Sequence, residues 1–258
     1  MAELNYALIT GASSGIGEEF ARALAKRRRN LVLVARSKQK LEALAGEFRD
    51  SQGIRAEPME FDLSLPGAAF HLNERLRGRG LKIDLLVNNA GFGARGKFWE
   101  LSPERQAQML RLNIQALVEL TNLLLPPMVE ERRGGVINVA STASFQPVPY
   151  ITVYAATKAF VTSFSEALAE ELRPYGVIVV TLCPGGTKTN FFEAGQYGTR
   201  DFPGGLQPPA EVVEAALQAL DRGGGLVVPR LLNKAGVFAQ RFVPRSWPIK
   251  LAARIFRV

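Results

Sequence analysis

Cysteine and histidine are almost missing from this chain: 258 residues hold one of each, Cys183 and His71. A single thiol excludes an intramolecular disulfide and fits a reducing, cytoplasmic setting. Cys183 ends a nearly all-apolar run and reads as a small core residue. A lone imidazole cannot assemble a metal cluster, so no metal site is expected. No apolar run approaches the roughly 20 residues of a spanning helix. The strand-like run Tyr6-Ala7-Leu8-Ile9 comes so early that no signal peptide is expected before it. Repeats, low-complexity tracts and inter-domain linkers are also lacking. The net charge is +8, from 32 basic and 24 acidic residues. The basic residues are mostly dispersed and no nucleic-acid motif accompanies them, so an anionic small ligand is expected rather than nucleic acid. Lys26-Arg27-Arg28-Arg29 falls where a first helix should end, and cations there meet the negative end of its dipole.

What the chain does contain is an alternation of strands and helices. Residues 5–10 read as a strand, followed by a helix carrying Ile16, Phe20 and Leu24 on one face. Residues 31–34, 55–61, 83–87, 136–140, 177–183 and 226–228 read as further strands. Helices are expected at 38–50, 65–79, 102–129, from about 150 to 173, and at 209–221. Such alternation implies one parallel sheet with right-handed crossovers. The expected fold is α/β: a three-layer, doubly wound Rossmann fold with about seven strands and helices on both faces. It forms a single domain over 1–258, with a substrate flap at 186–208 and a basic extension at 234–258.

Gly11-Ala12-Ser13-Ser14-Gly15-Ile16-Gly17 joins the first strand to its helix. Glycines allow a tight turn and close approach of backbone, and the amides at the helix start can receive a pyrophosphate. The second strand runs into Ala35-Arg36-Ser37-Lys38 with no acid to grip the ribose hydroxyls of NAD. Arg36 therefore favours the 2′-phosphate of NADP(H).

Further along, Tyr154 and Lys158 are four apart on one helix, roughly 5–6 Å between Cβ atoms. A free phenol titrates near pH ~10. A neighbouring ammonium is expected to lower that value and make Tyr154 a general acid or base. Ser141, 13 residues earlier, is close enough to hold the same substrate oxygen. This is equipment for interconverting a carbonyl and an alcohol.

Together, Thr10-Gly11-Ala12-Ser13-Ser14-Gly15-Ile16-Gly17, Asn88-Asn89-Ala90-Gly91, Asn113, Ser141, Tyr154, Lys158 and Pro184-Gly185 with Thr189 resemble the short-chain dehydrogenase/reductase family, in order and spacing over nearly the whole chain. The resemblance implies an oxidoreductase in which Tyr154 is the general acid/base, Lys158 tunes it and binds the nicotinamide ribose, Ser141 orients the carbonyl and Asn113 holds a relay water. It also implies that Gly11, Ser13, Ser14, Gly15, Ile16 and Gly17 form the phosphate turn, with Arg36 and Lys40 at the 2′-phosphate. Asp62 and Leu63 would face adenine, Asn89, Ala90 and Gly91 the ribose region, and Pro184, Gly185, Thr187 and Thr189 the carboxamide and phosphates. A homodimer or homotetramer is implied by resemblance alone. Two rivals stay open: a non-catalytic NADP(H)-binding redox sensor and an NAD-linked alcohol dehydrogenase.

Phe92, Phe145, Tyr150, Phe191 and Phe192 flank the catalytic loops, where they either line an apolar pocket for a hydrophobic ketone or aldehyde or merely pack. The extension from Lys234 carries six Lys or Arg residues, no acid, and many apolar residues. It reads equally as a contact for anionic membrane, a dimer element, or a cover over the site.

Overall fold

The computed structural model describes residues 5–189, 191 and 205–257. Its strands are β1 (Asn5–Thr10), β2 (Asn30–Ala35), β3 (Ala56–Glu60), β4 (Lys82–Asn88), β5 (Gly134–Val139), β6 (Val177–Leu182) and β7 (Gly225–Val227). They form one sheet in the order β3-β2-β1-β4-β5-β6-β7, with every pairing parallel. The order reverses between β1 and β4, so their carboxyl ends leave a crevice.

Helices α1 (Gly15–Lys26), α2 (Lys38–Gln52) and α7 (Pro209–Asp221) cover one face; α3 (Ala68–Gly78), α5 (Ala116–Glu130) and the end of α6 (Thr152–Leu172) cover the other. The period of two along each strand divides the side chains. Ala7, Ile9, Leu31 and Leu33 meet Phe20, Leu41 and Phe48 on the first face. Tyr6, Leu8, Val32 and Val34 meet Leu72, Leu120 and Met128 on the second. β6, the run read from the sequence as a strand buried on both faces, is nearly all apolar and mostly buried. The basic cluster at the end of α1 is structural: Arg27 pairs with Asp221 at 2.9 Å, and Arg29 pairs with Asp84.

The helix expected over 102–129 is interrupted. α4 (Pro103–Leu110) starts at Ser102, whose hydroxyl accepts from the Arg105 amide, and passes through a π turn at Arg111–Gln115 before α5 begins. The wider turn brings Asn113 inward to an exposure of 1%. Such turns recur at functional sites. The extension folds as two short helices, α8 (Leu231–Ala239) and α9 (Ser246–Ile255). Of the flap, Thr187 bridges to Gln207, and most of the remainder lies outside the described residues.

A buried polar ladder ties the second half of the sheet to α6. Asn88 Nδ2 donates to Asn138 Oδ1 at 2.9 Å, Asn138 Nδ2 donates to Ser165 Oγ at 2.9 Å, and Ser165 donates to the Val161 carbonyl. Each of these polar groups has a partner, so the ladder fixes the helix against β5 at little desolvation cost.

Candidate active site

The carboxyl ends of β1, β4, β5 and β6 open on a cleft of ≈ 890 Å³. Its first half is built from backbone. Gly11 and Gly15 take φ of +68° and +60°, values that favour glycine. At Gly17 a Cβ would lie 2.3 Å from the Gly11 carbonyl oxygen and 2.5 Å from Asn89 Nδ2. Thr10 fastens the reversal point: its hydroxyl donates to the Val87 carbonyl and accepts from the amides of Asn89 and Ala90. Asn89 Nδ2 donates back to the Thr10 carbonyl at 2.9 Å. Ser13, Ser14, Gly15 and Ile16 line the cleft where α1 begins, and its free amides make a seat for phosphate.

Arg36 lies exposed at the rim of this half, and Asp62 and Leu63 line it too. Burial pushes the Asp62 carboxyl up, but hydrogen bonds from Ser64 and the charge of Arg36 outweigh it and leave the group below the usual carboxylate range. A glycine cradle with one cation and no acid at the end of β2 fits a dinucleotide carrying a 2′-phosphate. Lys40 is exposed on α2 and does not border the cleft. Gly17 supports the turn from behind without lining it.

The second half is built from side chains. Ser141, Tyr154 and Lys158 all line the cleft, together with Asn89, Ala90, Gly91, Pro184, Gly185, Thr187 and Thr189. Lys158 is 5% exposed, and its Nζ donates to the Val139 carbonyl at 2.7 Å. It stands 5.9 Å from the centre of the Tyr154 ring. Asn113 spends its amide on protein: it accepts from the Phe92 amide, donates to the Phe92 carbonyl at 3.0 Å, and donates to Thr157 Oγ1 at 3.1 Å. Thr157 in turn donates to the Tyr154 carbonyl. Asn113 thus clamps the loop after β4 to the start of α6.

The expected acidification of the phenol does not occur in the free protein. Burial pushes Tyr154 up to about 12, against the opposing pull of a hydrogen bond from Ser141. Burial also pushes Lys158 down to about 8. A low-dielectric surrounding disfavours both charged forms. The four-residue spacing predicts the Coulomb attraction but not this desolvation, and Lys158 aims its ammonium at Val139. Tyr154 is only half-buried and borders the open cleft, so solvent tempers the rise without changing its sign.

Comparison with known proteins decides the lineage. The family profile described as short chain dehydrogenase matches residues 5–197. The chain belongs to the short-chain dehydrogenase/reductase family. Within that family of oxidoreductases, it is 33% identical over 224 residues to a very-long-chain 3-oxoacyl-CoA reductase from Pyrenophora tritici-repentis, covering 85% of this chain and 64% of the relative. The chain therefore spans less than two thirds of the length of that relative. A short-chain dehydrogenase from Sphingobium yanoikuyae in complex with NADPH superposes with TM-score 0.83 at 34% identity, covering 93% of this chain and 96% of the other. The bulky-bulky ketone specific alcohol dehydrogenase from Comamonas testosteroni superposes with TM-score 0.78 at 30% identity, covering 95% and 97%.

The walls of this short-chain dehydrogenase cleft divide the predicted aromatics. Phe92 and Phe191 line it, with the Phe191 ring 5.4 Å from that of Tyr154. Phe145 and Tyr150 do not. Phe145 packs behind the site with Leu117, Val161 and Cys183. Tyr150 turns a corner at φ +68°, and its carbonyl accepts from the Gly96 amide. Phe192 lies outside the described residues. Sequence reasoning missed Val148, Ile151 and Leu112 on the wall, and left the extension's role open. Leu232, Asn233, Gly236, Val237, Gln240 and Phe256 cover one side of the cleft. Arg95 holds this cover, donating to the carbonyls of Phe256 at 3.1 Å and Arg257 at 2.9 Å. The free cysteine beneath the site is buried, which pushes its thiol up to about 11.

Proposed function

We propose that the protein is an NADP(H)-dependent oxidoreductase that interconverts a bulky, apolar ketone and its alcohol. One observation carries this reading: Tyr154 and Lys158 line the same cleft as the glycine turn, together with an apolar group of Phe92, Leu112, Val148, Ile151, Phe191 and Val237. Gly11, Ser13, Ser14, Gly15 and Ile16 would seat the pyrophosphate and Arg36 the 2′-phosphate. Gly91, Lys158, Pro184, Gly185 and Thr187 would surround the nicotinamide end. When bound, the dinucleotide supplies or accepts the hydride. The protein's own part is positional and acid–base. Ser141 and Tyr154 hydrogen-bond the substrate oxygen, and Tyr154 gives its proton as the carbonyl becomes an alkoxide. A phenol kept protonated by burial suits that direction. Lys158 anchors to Val139 and carries positive charge beside the phenol at neutral pH. Asn113 holds the loop and helix that present them.

The apolar lining supports the substrate class: Phe92, Leu112, Val148, Ile151, Phe191 and Val237 offer no ion pair to a charged acyl end. The relatives that act on very-long-chain 3-oxoacyl-CoA and on bulky ketones lend the same direction. Steady-state NADPH oxidation against short ketones, aryl and steroid-like ketones, and long-chain 3-oxoacyl thioesters tests it. The bulky apolar members should turn over fastest, and NADPH should outperform NADH. Binding of NADPH with no turnover on any carbonyl would leave the redox sensor standing. A preference for NADH would leave the NAD-linked enzyme.

A further inference from the structure

We propose that the segment 231–257 docks the protein on an anionic lipid surface and holds the rim of the cleft against it. The observation is an inverted helix. On α8 the stripe at i, i+3, i+4 and i+7 is Leu231, Lys234, Ala235 and Phe238, and it points outward: Leu231 is 86% exposed and Phe238 57%. The inner side of α8, with Asn233, Gly236 and Val237, lines the cleft. On α9 the same spacing gives Trp247, Lys250, Leu251 and Arg254, again outward, while Ala252 is the buried contact. Phe242, 73% exposed, stacks edge-on against Phe238 between the two helices. An apolar helical stripe ordinarily faces a core. Here the large apolar residues Leu231, Phe238, Phe242, Trp247 and Leu251 face solvent beside the cleft, with cations set between them.

Charge selects the partner. Lys234, Arg241, Arg245, Lys250, Arg254 and Arg257 are all exposed, and the sequence has no acidic residue after Asp221. Cations interleaved with Trp, Phe and Leu suit the interface of an anionic bilayer, where the apolar groups enter the acyl boundary and the cations meet headgroups. A second copy packed on the same face would bring six cations against six. A spanning role does not fit either, since no helix among the described residues is long and apolar enough to cross a membrane. A cleft opening onto lipid suits an apolar ketone; that corollary rests on the reaction proposed above, and the docking does not.

Co-flotation with vesicles of phosphatidylcholine, and of phosphatidylcholine with phosphatidylserine, tests the proposal. The protein should bind the anionic vesicles at least about tenfold more tightly, and lose that binding in high salt. A charge variant, Arg241→Glu with Lys250→Glu and Arg254→Glu, and an apolar variant, Phe242→Ser with Trp247→Ser, should each weaken binding at least about tenfold. NADPH affinity should stay unchanged in both. A readout that leaves the segment intact uses Trp99→Phe, in which Trp247 is the sole tryptophan. Its emission should shift to the blue on anionic vesicles. Equal binding to both vesicle types, unshifted emission, or a dimer that the apolar variant converts to monomer without any vesicle binding would each overturn the proposal.

Discussion

The two halves of the cleft hold their ligands by different means. From β1 to β3 the wall is largely backbone: two left-handed glycines, backed by a third with no room for a Cβ and by the Thr10 hydroxyl pinning the reversal point. From β4 to β6 the wall is side chain: the Tyr154 phenol, the Lys158 ammonium held by the Val139 carbonyl, and the Ser141 hydroxyl held by the Ala143 amide, with Asn113 clamped to Thr157 outside the lining. A backbone seat binds and cannot do acid–base chemistry; a side-chain seat does chemistry and depends on the rigidity behind it. Perturbing each half alone should therefore separate binding from rate.

The largest effect is expected from Tyr154→Phe. Its turnover should fall about 10²- to 10⁴-fold while NADPH binding, measured by fluorescence, stays near that of the parent. Comparable loss of both would merge the halves.

An unfolded lysine keeps its proton up to about its ordinary 10.5, while buried Lys158 releases it near about 8. Between those values the unfolded chain binds more protons, so this group's contribution to stability rises with pH. Tyr154 and Cys183 act the other way above about pH 10 and 9, because burial holds their protons longer. Both cancel when the parent is compared with Lys158→Met. The difference in unfolding free energy should grow by roughly 3 kcal/mol at most from pH 8 to 10.5. A flat difference would mean that the lysine is solvated.

In the backbone half, Gly17→Ala places a methyl against the Gly11 carbonyl. It should cost about 1–3 kcal/mol of stability and abolish tight NADPH binding, read by thermal melts with and without the dinucleotide. The smallest effect is expected at the rim. Arg36→Ala should weaken NADPH about tenfold, the scale of one charge-assisted contact, and leave NADH unchanged. Equal weakening of both would remove the 2′-phosphate assignment.

These halves were not equally legible in the sequence. The strand, glycine turn and helix could be read directly, because a left-handed turn leaves few residue choices and local spacing records it. Arg36 stood out through the missing acid. Tyr154 and Lys158 form a pair that any surface helix can carry, and only the ordered set of motifs distinguishes them. Their spacing told of attraction but nothing of burial, so the sign of the phenol's shift was misjudged. Phe145 and Tyr150 sit close in sequence to the catalytic loop, yet proximity along the chain does not say which way a ring turns. The π turn at Asn113 was invisible because an extra residue in one turn leaves the apolar period on either side intact. For α8, a stripe at helical spacing reads alike whether it meets a core or a membrane.

One wall of the cleft is made after the sheet is finished. β7 closes at Val227, and of the described residues from 231 to 257 only Ala252 is buried. This wall thus contributes contour to the cleft and little to the fold's stability. Mutation can remodel it, changing which molecules enter, while the scaffold that carries the chemistry keeps its reserve of folding energy.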